Sequence, residues 1–126
     1  MIRLIIADPD SATRKAIILL LRHKLELDHI VEAEDVATLI RSLADGTPDL
    51  LLLDWRLYGS PAPETCRLLQ KAYPQLKIVL LSVDAEDEAA AKQAGADFIH
   101  KGTPPDELIK MLKSFITRHA ERLKTS

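Results

Sequence analysis

The chain has 126 residues, with 17 Lys+Arg against 19 Asp+Glu (net charge −2), 47% hydrophobic and 29% charged residues. That is the balance of a globular domain; it excludes a disordered chain and argues against a nucleic-acid surface as the main function. A single cysteine excludes an internal disulfide and a cysteine metal cluster, and the longest strongly apolar run, Ala16–Leu21, is far too short to cross a bilayer.

The N-terminus meets Asp8 almost at once, unlike a signal peptide, so the expected setting is the cytoplasm. Ile2–Ala7 is a short aliphatic run closed by Asp8 and reads as a buried strand. Asp10 stands at the N-cap position of a helix over about Ser11–Lys24. Ile30–Ala33 reads as a second strand, and Asp35 caps a helix over about Val36–Ala44, stopped by Gly46-Thr47-Pro48. Leu50–Leu53 is a third strand, ended by Asp54. Gly59–Pro63 is a loop, and Pro63 suits the first turn of a helix on which Cys66, Leu69 and Tyr73 share a face. Ile78–Leu81 is a fourth strand, ended by Ser82. Asp84, Glu86, Asp87 and Glu88 crowd the start of a fourth helix, where its dipole favours them, and Gly95 ends it. Asp97–His100 is a short fifth strand. Pro104-Pro105 opens the last helix, with an apolar stripe of Leu108, Leu112, Phe115 and Ile116 and a basic end of Lys113, Arg118, Arg122 and Lys124.

The strands are too apolar for a sheet with one wet face, and each is followed by a helix of crossover length. The expected fold is α/β: one domain over residues 1–126, a doubly wound parallel sheet covered on both faces. Such sheets carry their sites at the carboxyl ends of the strands. Asp8, Asp54, Ser82 and Lys101 all fall there. Two carboxylates suit a hard divalent cation, and one of them can attack phosphorus to form an acyl phosphate. A hydroxyl and an ammonium suit the phosphoryl oxygens.

These residues carry a resemblance. Ile5-Ile6-Ala7-Asp8, Pro48 through Asp54, Ile78 through Ser82 and Ala94 through Lys101 resemble the motifs of bacterial two-component response-regulator receiver domains, in order and over the whole chain. The resemblance implies a flavodoxin-like (βα)5 sheet of strand order 2-1-3-4-5. It implies that Asp54 accepts a phosphoryl group from a sensor histidine kinase with Mg²⁺. Asp8, Asp54 and the Arg56 backbone carbonyl would hold the metal, with Asp10 as a further candidate. Lys101 would contact the phosphoryl group, Ser82 would be the switch hydroxyl, and Phe98 the aromatic that moves with it. An output protein or domain, or a second copy in a homodimer, would meet the face of the fourth helix, fifth strand and fifth helix. The implied role is that of a switch, not of a turnover enzyme, and it involves neither nucleic acid nor membrane through this chain itself.

Four positions depart from the resemblance. Pro9 stands where a second acidic residue is usual and supplies no metal ligand, which lowers the expected Mg²⁺ affinity. Leu57-Tyr58-Gly59 replaces Met-Pro-Gly, Val83 replaces an alanine and narrows access to Asp54, and Gly102 replaces a proline. Each residue also has a structural reading. Asp54 can end a strand, Asp8 and Asp10 can cap a helix, Ser82 can be a loop serine, Lys101 a surface lysine and Phe98 core. Cys66 reads as a small core residue and the histidines show no ligand spacing.

Two rival readings remain. In a pseudo-receiver the same surface serves as an interaction module without phosphorylation, as Pro9 and Val83 favour. Alternatively, Asp8-Pro9-Asp10 resembles the Asp-x-Asp nucleophile motif of haloacid-dehalogenase-type phosphatases, but no acidic pair follows Lys101 at a strand end and Asp54 would have no role. A flavin site is disfavoured because Asp8 and Asp10 would repel its phosphate. The absence of Gly-x-x-x-x-Gly-Lys excludes a P-loop.

Overall fold

The computed structural model describes residues 2–125, with side chains described to Glu121. Strands β1 (Ile2–Ala7), β2 (Leu27–Ala33), β3 (Leu50–Asp54), β4 (Lys77–Ser82) and β5 (Asp97–His100) alternate with helices α1 (Ser11–Lys24), α2 (Val36–Ala44), α3 (Ala62–Ala72), α4 (Glu88–Gln93) and α5 (Pro105–Thr125). All pairings are parallel, in the order β2-β1-β3-β4-β5. This is the flavodoxin-like order that the family resemblance implies.

Strand side chains alternate between two cores, as a period of two requires. Ile5, Ala7, Leu51, Leu53, Ile78, Leu80 and Phe98 face α2, α3 and α4. Leu4, Ile6, Leu50, Leu52, Val79, Leu81 and Ile99 face α1 and α5. Each face thus buries its own aliphatic layer, which is why β3 and β4 are apolar almost without interruption. Each fully buried leucine contributes roughly 1.5–3 kcal/mol from removal of its surface from water.

Asp10 and Asp35 cap α1 and α2 as expected, accepting hydrogen bonds from the amides of Thr13 and Thr38. Pro63 lies in the first turn of α3. Three boundaries differ from the sequence reading. β2 begins at Leu27 rather than Ile30, because pairing of Leu27 with Ile2 and His29 with Arg3 extends it through exposed Asp28 and His29, which break the apolar pattern, to half-buried Leu27. Tyr73 follows α3 as its C-cap instead of lying on the helix, although its ring still packs on the core. The acidic run does not start one helix: Ala85–Asp87 form a 3₁₀ turn capped by Asp84, and only Glu88–Gln93 are α-helical.

In α5, Leu112 and Phe115 are buried as expected, and Ile109 joins them. The Arg118 guanidinium lies 5.2 Å from the centre of the Phe115 ring. The side chains of Arg122 and Lys124 lie outside the described residues. No helix is long and apolar enough among the described residues to cross a membrane. Leu51 is fully buried in the central strand; Leu51→Ala is expected to lower stability by about 2–5 kcal/mol, read as a lower midpoint with unchanged slope in urea unfolding.

Candidate functional site

Asp8, Asp54, Ser82 and Lys101 meet at the carboxyl edge of the sheet. Asp54 and Ser82 are the last residues of β3 and β4, while Asp8 and Lys101 follow β1 and β5 by one. Backbone pairing carries past the strands and holds them in register. The Asp8 amide donates to the Ala33 carbonyl (3.0 Å), that of Trp55 to Leu81 (2.8 Å) and that of Lys101 to Ser82 (2.8 Å).

The carboxylates of Asp8 and Asp54 are almost inaccessible, at 3% and 5% residue exposure. Each is held in the same way. One oxygen accepts from the amide two residues later: Asp8 Oδ1 from Asp10 (2.8 Å), Asp54 Oδ2 from Arg56 (2.9 Å). The other oxygen faces Lys101, whose Nζ lies 2.8 Å from Asp8 Oδ2 and 2.5 Å from Asp54 Oδ1. The ammonium thus bridges both carboxylates. Burial acts to lower the Lys101 pKa and is the largest single influence. The hydrogen bonds and charges of Asp54 and Asp8 together outweigh it, so the pKa stands above the ordinary lysine value.

These groups line an open cleft of about 230 Å³, with Pro9, Asp10, Thr13, Trp55, Arg56 and Val83 around them. Val83, 56% exposed, is among the residues lining the cleft. Asp10 also reaches the cleft, but its Oδ2 accepts from both the amide and the hydroxyl of Thr13. The Thr13 hydroxyl is the main reason its carboxyl is held below the usual value. Asp10 is therefore engaged as a helix cap. Phe98 lies in the core facing α3 and α4, at 5% exposure.

Ser82 also lies at the cleft, yet its hydroxyl donates to Asp87 Oδ2 (2.6 Å) and accepts from the Asp84 amide (3.0 Å). Sequence reading had no signal for that pairing. It also passed over Arg14, which lies one helical turn beyond the Asp10 cap: its Nη1 donates to the Asp8 carbonyl (2.6 Å) and its Nε to Glu32 (2.9 Å). Arg14 thereby ties the turn after β1 to β2. His100 joins the loops that follow β4 and β5. Its Nδ1 accepts from the Gly102 amide (3.1 Å), so in the neutral ring Nε2 carries the proton and donates to the Val83 carbonyl (2.8 Å). A Cβ at residue 102 would come within 2.7 Å of that imidazole, so the close approach needs glycine, and the bond needs an amide that proline lacks.

The donor set fits a small hard cation in part. Asp8 and Asp54, from adjacent strands, offer carboxylate oxygens to the cleft, and Mg²⁺ commonly takes one or two carboxylates and completes its shell with water and phosphate. No group of three His, Cys, Asp or Glu placed for a metal occurs among the described residues. Pro9 adds no ligand. A cation would rely on these two carboxylates, the Arg56 carbonyl and water.

Comparison with known proteins accords with this geometry. Residues 4–113 match the family model of the response regulator receiver domain. The chain is 33% identical over 93 residues to the phosphate regulon transcriptional regulatory protein PhoB of Klebsiella pneumoniae, covering 70% of this chain and 41% of that protein. It is 31% identical over 116 residues to the DNA-binding transcriptional activator DevR/DosR of Mycobacterium tuberculosis, covering 90% of this chain and 54% of that one. The chain thus spans only about half the length of these relatives. Its fold is similar to that of a CheY-like response regulator receiver domain protein from Methanospirillum hungatei, with a TM-score of 0.81 at 20% identity over 97% of this chain and 98% of that one.

Lys101→Met is expected to lower stability at neutral pH by about 1–2 kcal/mol, discounted from the cost of breaking a fully buried pair because the cleft is open to water. The sign follows from the raised pKa. The contribution of Lys101 is fully present below its unfolded value of about 10.4 and is lost as pH rises through the higher folded value. Urea unfolding of both proteins from pH 7 to pH 11 is therefore expected to show the gap closing at the alkaline end.

Proposed function

The chain belongs to the response regulator receiver domain family of two-component systems, and from that premise we propose that it is a phosphorylation switch with Asp54 as acceptor. The observation that carries this reading is the bridge from Lys101 to the buried carboxylates of Asp8 and Asp54. It pairs a nucleophile with a cation that can follow the phosphoryl oxygens. The family assignment leaves the phosphatase alternative without support.

In the proposed reaction an oxygen of Asp54 attacks the phosphorus of a phosphohistidine on the sensor kinase. The new O–P bond forms as the P–N bond breaks, and the imidazole leaves with the electron pair and takes a proton from solvent. Asp8, Asp54 and the Arg56 carbonyl would hold Mg²⁺, which would supply charge neutralisation for the phosphoryl oxygens. The Arg56 amide fixes the Asp54 rotamer before reaction, and Arg14 fixes the backbone that carries Asp8. Once Asp54 carries the phosphoryl group as an acyl phosphate it can no longer offer a full carboxylate to Lys101. The ammonium then turns to the phosphoryl oxygens while keeping Asp8. Ser82 donates its hydroxyl to another of those oxygens, and the segment between β4 and α4 moves with it. Phe98, already in the core, responds by repacking there. The domain accepts and loses one phosphoryl group and is not a turnover enzyme.

The proposed partners of this chain, whose proposed setting is the cytoplasm, are a sensor histidine kinase and an output protein or domain, or a second copy of the chain, on the face formed by α4, β5 and α5. The relatives named as transcriptional regulators support an output of that kind. One observation favours a second reading. Pro9 brings no ligand and Asp10 is spent on its cap, which suits an interaction module that works unmodified.

Trp55, next to Asp54 in the cleft, provides the measurement. Its fluorescence is expected to change saturably with millimolar Mg²⁺ and again with beryllofluoride, a phosphoryl mimic, with both changes lost in Asp54→Ala. A flat response in the unaltered protein would overturn the phosphorylation switch in favour of the second reading.

A further inference from the structure

The single proton of the Ser82 hydroxyl has two claimants. A serine hydroxyl has one O–H to donate. In this structure it goes to Asp87 Oδ2, 2.6 Å away, while the hydroxyl oxygen accepts from the Asp84 amide. Ser82 is 3% exposed and Asp87 half-buried, so water competes weakly for the bond. A phosphoryl group on Asp54 would need the same proton. It would also bring nearly two negative charges into a cleft whose Ser82 wall is backed by the Asp87 carboxylate.

The element that carries Asp87 is fastened differently at its two ends. At the far end of α4, the Cys66 thiol donates to the Ala94 carbonyl (3.4 Å) and the Gln70 amide donates to the Gly95 carbonyl (2.9 Å). Gly95 takes a φ of +86°, and a Cβ there would lie 2.6 Å from the Gln70 oxygen. The C-terminal end of α4 is thus seated on α3. Its N-terminal end begins in the 3₁₀ turn Ala85–Asp87, where Asp87 makes no capping bond with its side chain. The carboxylate that would ordinarily cap the helix is turned back to Ser82.

We propose that Asp87 is a latch: it holds the Ser82 hydroxyl away from Asp54, sets how readily the phosphorylated form is reached, and on release lets the start of α4 swing about its seated end. Asp87 is a positioning residue that acts through Ser82 and touches no phosphoryl group. The latch rests on the proposed function of Asp54 and adds to it the residue that opposes switching.

The test uses the whole chain, in the unaltered form and as Asp87→Ala, Asp87→Asn, Ser82→Ala and the Ser82→Ala/Asp87→Ala double variant. The first readout is amide hydrogen exchange over residues 83–90 without Mg²⁺ or mimic. Asp87→Ala is expected to speed it, and the seated end at Ala94 and Gly95 to keep its rate. The second is beryllofluoride affinity in Mg²⁺. Removing one charge-assisted hydrogen bond from the unswitched form is expected to tighten binding about tenfold in Asp87→Ala. Asp87→Asn, which keeps the shape and loses the charge, falls between. In the Ser82→Ala background the Asp87→Ala substitution is expected to change affinity less than about twofold, because the shared proton is gone. An unchanged or weaker affinity in both Asp87 variants, or the same gain with and without Ser82, overturns the latch while leaving the Asp54 reading intact. If neither the unaltered protein nor Asp87→Ala binds the mimic, the Asp54 reading fails and the latch falls with it, whatever the exchange rates show.

Discussion

One ammonium between two buried carboxylates organises the carboxyl edge of the sheet. Leaving Asp8 and Asp54 charged in an apolar setting would cost several kcal/mol for each, and their mutual repulsion would add to it. Lys101, which follows β5, offsets that cost because it reaches both oxygens that the backbone amides leave available. The pair needs the lysine, and the lysine needs the strand order. Only with β1 and β3 adjacent and β5 beyond β4 do the three side chains point into one cleft.

Around that centre, residues of ordinary type act by fixing backbone. Arg14 secures the Asp8 carbonyl and Glu32 together, so the turn interrupted by Pro9 stays where β1 leaves it. The Arg56 amide fixes the Asp54 rotamer. His100, placed against Gly102, ties the loop after β5 to the loop after β4. The cleft is therefore rigid on the β1 and β3 side. On the β4 side the links are a few hydrogen bonds in half-exposed loops, the kind of segment that opens at low free energy. A short helix seated at one end and held at the other by one side-chain contact suits a two-state element.

The two cores explain why such a site can sit at an edge at all. Alternate strand residues feed separate aliphatic layers, and both are continuous under the cleft: Leu53 and Leu80 on one face, Leu52 and Leu81 on the other. The polar residues begin only where the strands end. Their burial is shallow enough to admit a ligand and deep enough to strengthen charge interactions.

Most of the architecture was legible in the chain itself. Unbroken aliphatic runs, caps at Asp10 and Asp35, and prolines at helix starts are local signals, and each reports on residues within one turn or one strand. They marked the parallel sheet, both helical layers and the four residues at the strand ends. They missed the start of β2, where exposed Asp28 and His29 interrupt the apolar pattern and pairing with β1 extends the strand back to Leu27, and the split of the acidic run into a 3₁₀ turn and a short helix. Tertiary structure alone decided who holds whom. Lys101 meets Asp8 across 93 positions of sequence. Arg14 reaches back to a carbonyl, His100 needs the empty side of Gly102, and Ser82 gives its one proton to Asp87. A residue type states what a group can donate or accept, but its partner is set by distance and direction, and those exist only once the strands are in order.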